Sequence, residues 1–283
     1  MGVAAYNSAI LRVWRKEVKM RYKILFVDID GTLMYPERKH LTERCIRILK
    51  ELQSKGVLVI PATGRGFVAI RPQVLGGVVA DYSVCCNGAC VLNQNGEIIY
   101  GHPMSPKQMG ILCELARDNN YSLGFSFLDG YYTYFQDAIF REFYRQTNGD
   151  MLCLLDGTDH TRHLRDLPYS GWGMVPREKA EEFNKEKNGL VMIPFKNISH
   201  DICQSGINKK TGAEQLLTKL GINWSETVAI GDGDNDCELL SSAGKSIAMG
   251  NAVMAAKEVA DIIAGDVSED GASEAIAKIF HID

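Results

Sequence analysis

The chain has 283 residues, with 31 Lys and Arg against 35 Asp and Glu, 46% hydrophobic residues and eight cysteines. That length suits one large domain or two ordinary ones, and the apolar fraction excludes a disordered or collagen-like polymer. A net charge of −4 argues against a nucleic-acid binder, and no apolar run approaches the roughly 20 residues that span a bilayer, so neither nucleic acid nor membrane is expected as a partner.

Residues 1–20 hold short apolar stretches followed by Arg15, Lys16 and Lys19, the reverse of the charge order in a secretory signal. They are expected to be a disordered extension, with Met20 an alternative start of translation. From Tyr22 the pattern sharpens. Lys23 to Val27 is a nearly continuous apolar run, as in a strand buried on both faces of a parallel sheet. Leu41, Cys45, Ile48, Leu49 and Leu52 then fall at helical spacing, with Gly56 as a C-terminal stop. Val57 to Ile60 predicts a second strand and Tyr82 to Cys86 a third, the latter running into an Asn87-Gly88 turn. Strand, helix, strand in this order implies βαβ units and a parallel sheet.

From about residue 103 the texture changes to aromatics and turns. Tyr121 to Phe127 and Tyr131 to Phe135 predict a hairpin around Asp129-Gly130. The α/β grammar returns with a helix from Ala213 to Leu220, strands over 227–230 and 246–249, and a short helix over 237–243 between those strands. The expected fold is α/β: a Rossmann-like parallel sheet with helices on both faces and an inserted α+β cap. Its expected boundaries are 21–102 and 198–283 for the discontinuous core and 103–197 for the insertion.

The cysteines are scattered without a CxxC pair, which fits buried free thiols in a reducing cytoplasm better than a zinc framework or disulfide scaffold. His102, His160, His163 and His200 lack ligand-like spacing and read as surface or loop residues. Tyr131, Tyr132 and Trp172 read as core aromatics rather than a substrate entrance.

Chemistry concentrates at strand ends. The first strand runs into Asp28-Ile29-Asp30-Gly31-Thr32, where ligands bind in an open parallel sheet. Two carboxylates so close repel unless a cation or a shared proton relieves them. A second acidic cluster, Gly231-Asp232-Gly233-Asp234-Asn235-Asp236, also follows an apolar strand, and its oxygen donors favour a hard cation such as Mg²⁺. A calcium-binding loop fails because its glycine position is Cys237 and its closing glutamate position is Ala243. A phosphate-binding loop ending at Gly244-Lys245-Ser246 fails because its first glycine would be Leu239. Thr63-Gly64-Arg65 offers a hydroxyl and unhindered N–H groups to an oxyanion, and Lys209-Lys210 an ammonium at a helix start.

Together these segments resemble the haloacid dehalogenase-like phosphatases of the Cof type, over nearly the whole chain from Met20. Asp28 to Leu33 matches the family's DxDGT motif, Thr63-Gly64-Arg65 its second motif, Lys209 its third and Gly231 to Asp236 its GDGxND. Ala248 to Ala252 and Glu269-Asp270-Gly271 resemble its closing signatures. The residue after the motif lysine is usually glycine, and here it is Lys210, so the two lysines could exchange roles.

The resemblance implies that Asp28 attacks phosphorus to form an aspartyl-phosphate and that Asp30 serves as general acid and then base. It assigns Mg²⁺ to Asp28, the Asp30 carbonyl, Asp232 and Asp236, with Asn235 ordering its surroundings or the substrate. Thr63, Gly64, Arg65 and Lys209 are assigned to the phosphate. The expected activity is Mg²⁺-dependent hydrolysis of small phosphorylated metabolites, sugar phosphates foremost, by a monomer or weak homodimer. A phosphomutase and a non-catalytic sugar-phosphate sensor are the alternatives.

Overall fold

The computed structural model describes residues 20–35, 40–70, 74–147, 154–196 and 198–282. The extension expected over 1–20 lies outside them, Met20 excepted. Strand β1 (Ile24–Val27) is buried at every position, as an unbroken apolar run requires. Helix α1 (Glu43–Ser54) starts where Thr42 accepts the Cys45 N–H, and it buries the stripe Cys45, Ile48, Leu49 and Leu52. Gly56, at φ +79°, then turns the chain into β2 (Leu58–Pro61).

The run at 82–86 behaves differently from its expected place in the parallel sheet. It forms β3 (Tyr82–Cys85), which pairs antiparallel with β4 (Cys90–Asn93), and β4 pairs with β5 (Ile98–Gly101). One parallel bridge, Ala62 to Val84, ties this three-stranded sheet to the end of β2.

The insertion begins with α2 (Pro106–Asn119), held by a reciprocal Ser105–Gln108 capping box. Next come β6 (Ser122–Ser126), β7 (Tyr131–Phe135), α3 (Asp137–Thr147), β8 (Leu155–Asp156), β9 (Ser170–Met174), α4 (Arg177–Phe183), β10 (Leu190–Lys196) and β11 (Ser199–Gln204). The predicted hairpin is β6 paired antiparallel with β7. The six strands lie in the order β10-β11-β9-β6-β7-β8. The boundary expected at 198 therefore needs correcting: β11 pairs antiparallel with both β10 and β9, so the chain leaves this sheet at Gln204. The β10–β11 register is irregular between Pro194 and Lys196.

The chain then completes the parallel sheet through α5 (Lys209–Leu220), β12 (Thr227–Gly231), α6 (Cys237–Ser242), β13 (Lys245–Ala248), α7 (Met254–Val259), β14 (Ile262–Ile263) and α8 (Gly271–Phe280). Its strand order is β14-β13-β12-β1-β2, with every pairing parallel. The helices beside the sheet pack on one another, α1 with α8, α5 with α6 and α6 with α7. The carboxyl ends of β1, β2 and β12 thus emerge side by side, each trailing one of the polar loops.

His200 departs from the sequence expectation: it is buried within β11, and burial lowers its pKa. The seven described cysteines are free, five of them buried, and burial pushes the thiols of Cys45 and Cys86 up to about 12. They are packing residues. Among the described residues, no helix is long and apolar enough to cross a membrane.

Candidate active site

Asp28 stands at the end of β1, 6% exposed, and Lys209 reaches it from the first turn of α5. The Lys209 Nζ donates to Asp28 Oδ1 at 2.6 Å and to Asp236 Oδ1 at 2.7 Å, and the side chain is fully buried. A cation at a helix N-terminus is opposed by the helix dipole, so this ammonium depends on its two carboxylates. They hold its pKa above the usual lysine range against burial, which pulls the other way. Lys210 turns outward to Glu214 at 3.3 Å, so the roles of the two lysines are distinct.

Carboxylate oxygens of Asp28, Asp232 and Asp236 lie within 4.8 Å of one another. Burial pushes Asp28 well above the carboxylate range; Lys209 opposes this, while Asp236 and Asp232 reinforce it. Burial, then Asp236, pushes Asp232 to about 6, although the Thr32 hydroxyl donates to Asp232 Oδ1 at 2.7 Å. Three carboxylates against one ammonium leave an anionic excess, and hard oxygen donors around it fit a divalent cation such as Mg²⁺. The oxygens of Asp236 are the most committed of the set: Oδ2 accepts the N–H groups of Asp232 and Gly233, and Oδ1 accepts Lys209.

Glycines make this convergence possible. Gly31 has φ +88°, and a Cβ there would collide with the Asp232 carboxylate. Gly88, at φ +98°, abuts the carbonyl of Asn208, the residue that caps α5 through the Thr211 N–H. Gly212 packs against Gly88 from the helix side. Backbone contact this close sets Asn87 and Lys209 side by side.

The loop after β2 supplies the oxyanion chemistry. Thr63 is 1% exposed, and its hydroxyl accepts the Arg65 N–H at 3.2 Å. The Gly64 N–H has no partner among the described residues, and Gly64 lines the cavity. Arg65 meets Asp30 in a fork, Nε to Oδ2 at 2.7 Å and Nη2 to Oδ1 at 2.6 Å. Here Arg65 is the partner of the second aspartate, a bidentate geometry that fixes the carboxylate plane.

Asp28, Asp30, Thr63, Gly64, Arg65, Asp232 and Asn235 line a cavity of about 930 Å³ between the parallel-sheet loops and the inserted sheet, and Lys209 and Asp236 are buried behind them. Among the polar residues that the sequence did not mark as site residues, Asp201 lines the cavity and Asn87 is buried beside it. Asn87 donates to Asp201 Oδ2 at 3.0 Å and accepts from Asn235 Nδ2 at 2.9 Å, so Asn235 is held by an amide chain. Asp201, on β11, is pushed by burial to about 6. Asn87 shares the signal of the other site residues, a polar group just past a buried strand; Asp201 has no local signal. Tyr131 and Trp172 are core residues and cavity wall at once, packed edge to face at 5.2 Å. Tyr131 also accepts the Gly66 N–H through its hydroxyl at 2.7 Å. Tyr132 is absent from the cavity wall and stacks under Arg162.

Residues 25–276 match the family model of haloacid dehalogenase-like hydrolases. The chain belongs to that family. This haloacid dehalogenase-like hydrolase is 27% identical to the Bacillus subtilis protein named putative phosphatase YkrA over 270 residues, covering 92% of this chain and 98% of that one. It is 25% identical over 266 residues to a protein of the same organism named 5-amino-6-(5-phospho-D-ribitylamino)uracil phosphatase YcsE, covering 94% and 98% of the two chains. A solved phosphatase of the superfamily from Bacteroides thetaiotaomicron shares its fold, with a TM-score of 0.81, 23% identity, and coverage of 93% and 97%. The expected α/β fold with an inserted cap stands, and the hydrolase is a phosphatase of phosphoric monoesters.

Proposed function

We propose that this phosphatase hydrolyses small phosphorylated metabolites, sugar or polyol phosphates foremost, with Mg²⁺ and through a covalent intermediate on Asp28. The observation that carries the reading is the buried Lys209 bridging Asp28 and Asp236 beside Asp232, with Asp28 and Asp232 lining a cavity large enough for a small metabolite. Asp28 and Asp232, with the Asp30 carbonyl and the loop organised by Asp236, would hold the cation. When bound, it supplies positive charge that screens the carboxylates from a phosphate dianion.

The chain's own groups then divide the work. The ammonium of Lys209, the Thr63 hydroxyl and the Gly64 N–H face the non-bridging oxygens, whose charge must be stabilised in the transition state. An Asp28 oxygen attacks phosphorus in line with the departing alkoxide. Asp30 gives that alkoxide its proton and takes one back from the water that cleaves the acyl phosphate. Arg65 grips both oxygens of Asp30 in the resting arrangement, so one of its two hydrogen bonds gives way when Asp30 turns to the leaving group. In this reading residues 21–102 and 205–283 form the catalytic base, and the inserted sheet closes over it. Free buried thiols suit a cytoplasmic protein, acting as a monomer or weak homodimer.

Phosphate release from a panel of sugar phosphates and nucleotides, with Mg²⁺ or with EDTA, tests the reading. Wild type is expected to turn over at least one phosphomonoester with Mg²⁺ only, and Asp28→Asn to release phosphate at the background rate. Full activity in EDTA or in Asp28→Asn would sink it.

A further inference from the structure

The cavity wall opposite the phosphate loops is one face of the inserted sheet, and its residues follow from strand register. Ile193, Asp201 and Trp172 are cross-strand neighbours on β10, β11 and β9. Two residues along, on the same face, Ser170 opposes Ser126, which in turn opposes Tyr131. In the other direction comes Ser199. All of these line the cavity. The wall is thus aromatic and aliphatic surface dotted with hydroxyls, and Asp201 is its one carboxylate among the described residues. No lysine or arginine of the insertion lines the cavity among the described residues.

Asp201 is placed for recognition. A Cβ on Gly64 would lie 2.8 Å from Asp201 Oδ2, so the carboxylate sits directly against the loop that would hold the phosphate. Its Oδ2 is taken by Asn87, whereas Oδ1 has no hydrogen-bond partner among the described residues. Asp201 is half-buried and lines the cavity, so this free acceptor oxygen is open to a bound molecule, and next to a phosphate site the nearest donor is the first part of the leaving group. Around it the wall offers the neutral hydroxyls of Ser126, Ser170 and Ser199. Neutral donors and acceptors on an apolar face are complementary to a polyol, which presents both in quick succession.

We infer that Asp201 reads the leaving group, accepting through Oδ1 a hydrogen bond from a hydroxyl on the carbon next to the phosphoester carbon. The inference rests on the phosphatase reading and deepens it. Asp201 becomes a specificity-determining residue contributed by the cap. A leaving group that lacks this hydroxyl leaves the carboxylate half-satisfied, and one with an anionic group there is repelled.

The test pairs a substrate change with a protein change, using the full chain with Mg²⁺. The probes are ribitol 5-phosphate, 4-deoxyribitol 5-phosphate and p-nitrophenyl phosphate, assayed with wild type, Asp201→Ala and Asp201→Asn. A hydrogen bond to a charged acceptor corresponds to about 10- to 100-fold. Asp201→Ala is therefore expected to lower kcat/KM for ribitol 5-phosphate at least tenfold more than for the deoxy compound. Asp201→Asn, which keeps an acceptor and the shape, should recover part of that ratio. Should the alanine variant fail to fold, the ratio for Asp201→Asn against wild type decides alone. Equal losses on both ribitol compounds would assign Asp201 to supporting Asn87 and overturn the inference. So would wild type that hydrolyses p-nitrophenyl phosphate but shows no preference for the hydroxylated compound. Wild type inactive on all three probes and on the wider sugar-phosphate and nucleotide panel would instead overturn the phosphatase mechanism beneath it.

Discussion

The floor and the roof of the cavity are built on opposite principles. The floor consists of residues at the ends of parallel strands, Asp28, Asp30, Arg65, Asp232 and Asp236, with Lys209 reaching in beneath them from the start of α5, and it is dense in charge. The roof is a strand face in which side chains alternate in and out, nearly neutral, with Asp201 the one charged group on the cavity side among the described residues. A floor of ionised groups is competent for one reaction and tolerant of little change, because Asp28, Lys209 and Asp236 are buried charges that depend on one another. A roof of hydroxyls and rings leaves the reaction alone and chooses the alcohol. The difference teaches that substitutions on the floor act on stability and chemistry together, whereas those on the roof act on one substrate relative to another.

The largest break in this contrast comes from Lys209. Lys209→Met leaves Asp28 and Asp236 facing each other, buried, with the ammonium gone. Removing one partner of a buried ion pair costs about 3–5 kcal/mol, so urea unfolding should show a loss of that size. Lys210→Met, whose partner Glu214 is 46% exposed, should change stability by less than about 1 kcal/mol. Comparable losses for the two lysines would contradict the buried triad.

Next in size is the metal. At a hundred times its dissociation constant, a cation that binds only the folded floor raises stability by about 2.7 kcal/mol. Mg²⁺ should therefore raise Tm in wild type, with EDTA reversing the gain, and the gain should vanish in Asp232→Asn. A Tm insensitive to Mg²⁺ would leave the anionic floor without its expected partner.

These floor residues were legible because each lies in a short contiguous segment just past an apolar run, where strand-end logic and the resemblance agree. Lys209 in the first turn of α5, Thr63 after β2 and Asp232 after β12 all follow that pattern. The roof was opaque for a physical reason. Asp201 in Ser199-His200-Asp201-Ile202-Cys203 is one polar residue in an alternating strand, and only the pairing of β11 with β9 and β10 decides which face it takes. The same pairing buries His200, expected at the surface, and carries the inserted sheet past residue 198. Asn87 fell between the cases: its turn was legible from Asn87-Gly88, but the approach of Gly88 to Gly212 that delivers it to Asn235 depends on tertiary contact.

Asp201 also sharpens the contrast through pH. Its pKa is about 6 in the fold and 3.8 in the open chain, so between those values the folded state binds the extra proton. Stability from this group is thus present below about pH 4 and lost as pH rises through 6, by at most about 3 kcal/mol. Asp201→Asn should match wild type near pH 4 and exceed it by a plateau value above pH 6.5, measured by urea unfolding across that range. Asp28 and Asp232 titrate in both proteins and cancel in the difference. A variant less stable than wild type at pH 7.5 would mean that the ionised carboxylate is held by more than the Asn87 amide.

The smallest expected effect lies where floor and roof touch. The Tyr131 hydroxyl accepts the Gly66 N–H, joining β7 of the insertion to the loop that follows Arg65. Tyr131→Phe keeps the ring packed on Trp172 and removes only that acceptor, leaving the backbone N–H unpartnered in a buried place. A loss of about 1–2 kcal/mol follows if the two parts stay closed, since a buried orphan donor carries its full desolvation penalty. If the insertion instead swings away and lets water reach Gly66, the penalty shrinks toward zero and hydrogen exchange at Gly66 accelerates. Stability and exchange measured on the same variant therefore separate a rigid roof from a hinged one, and a hinged roof would make Asp201 a residue that meets its substrate only on closure.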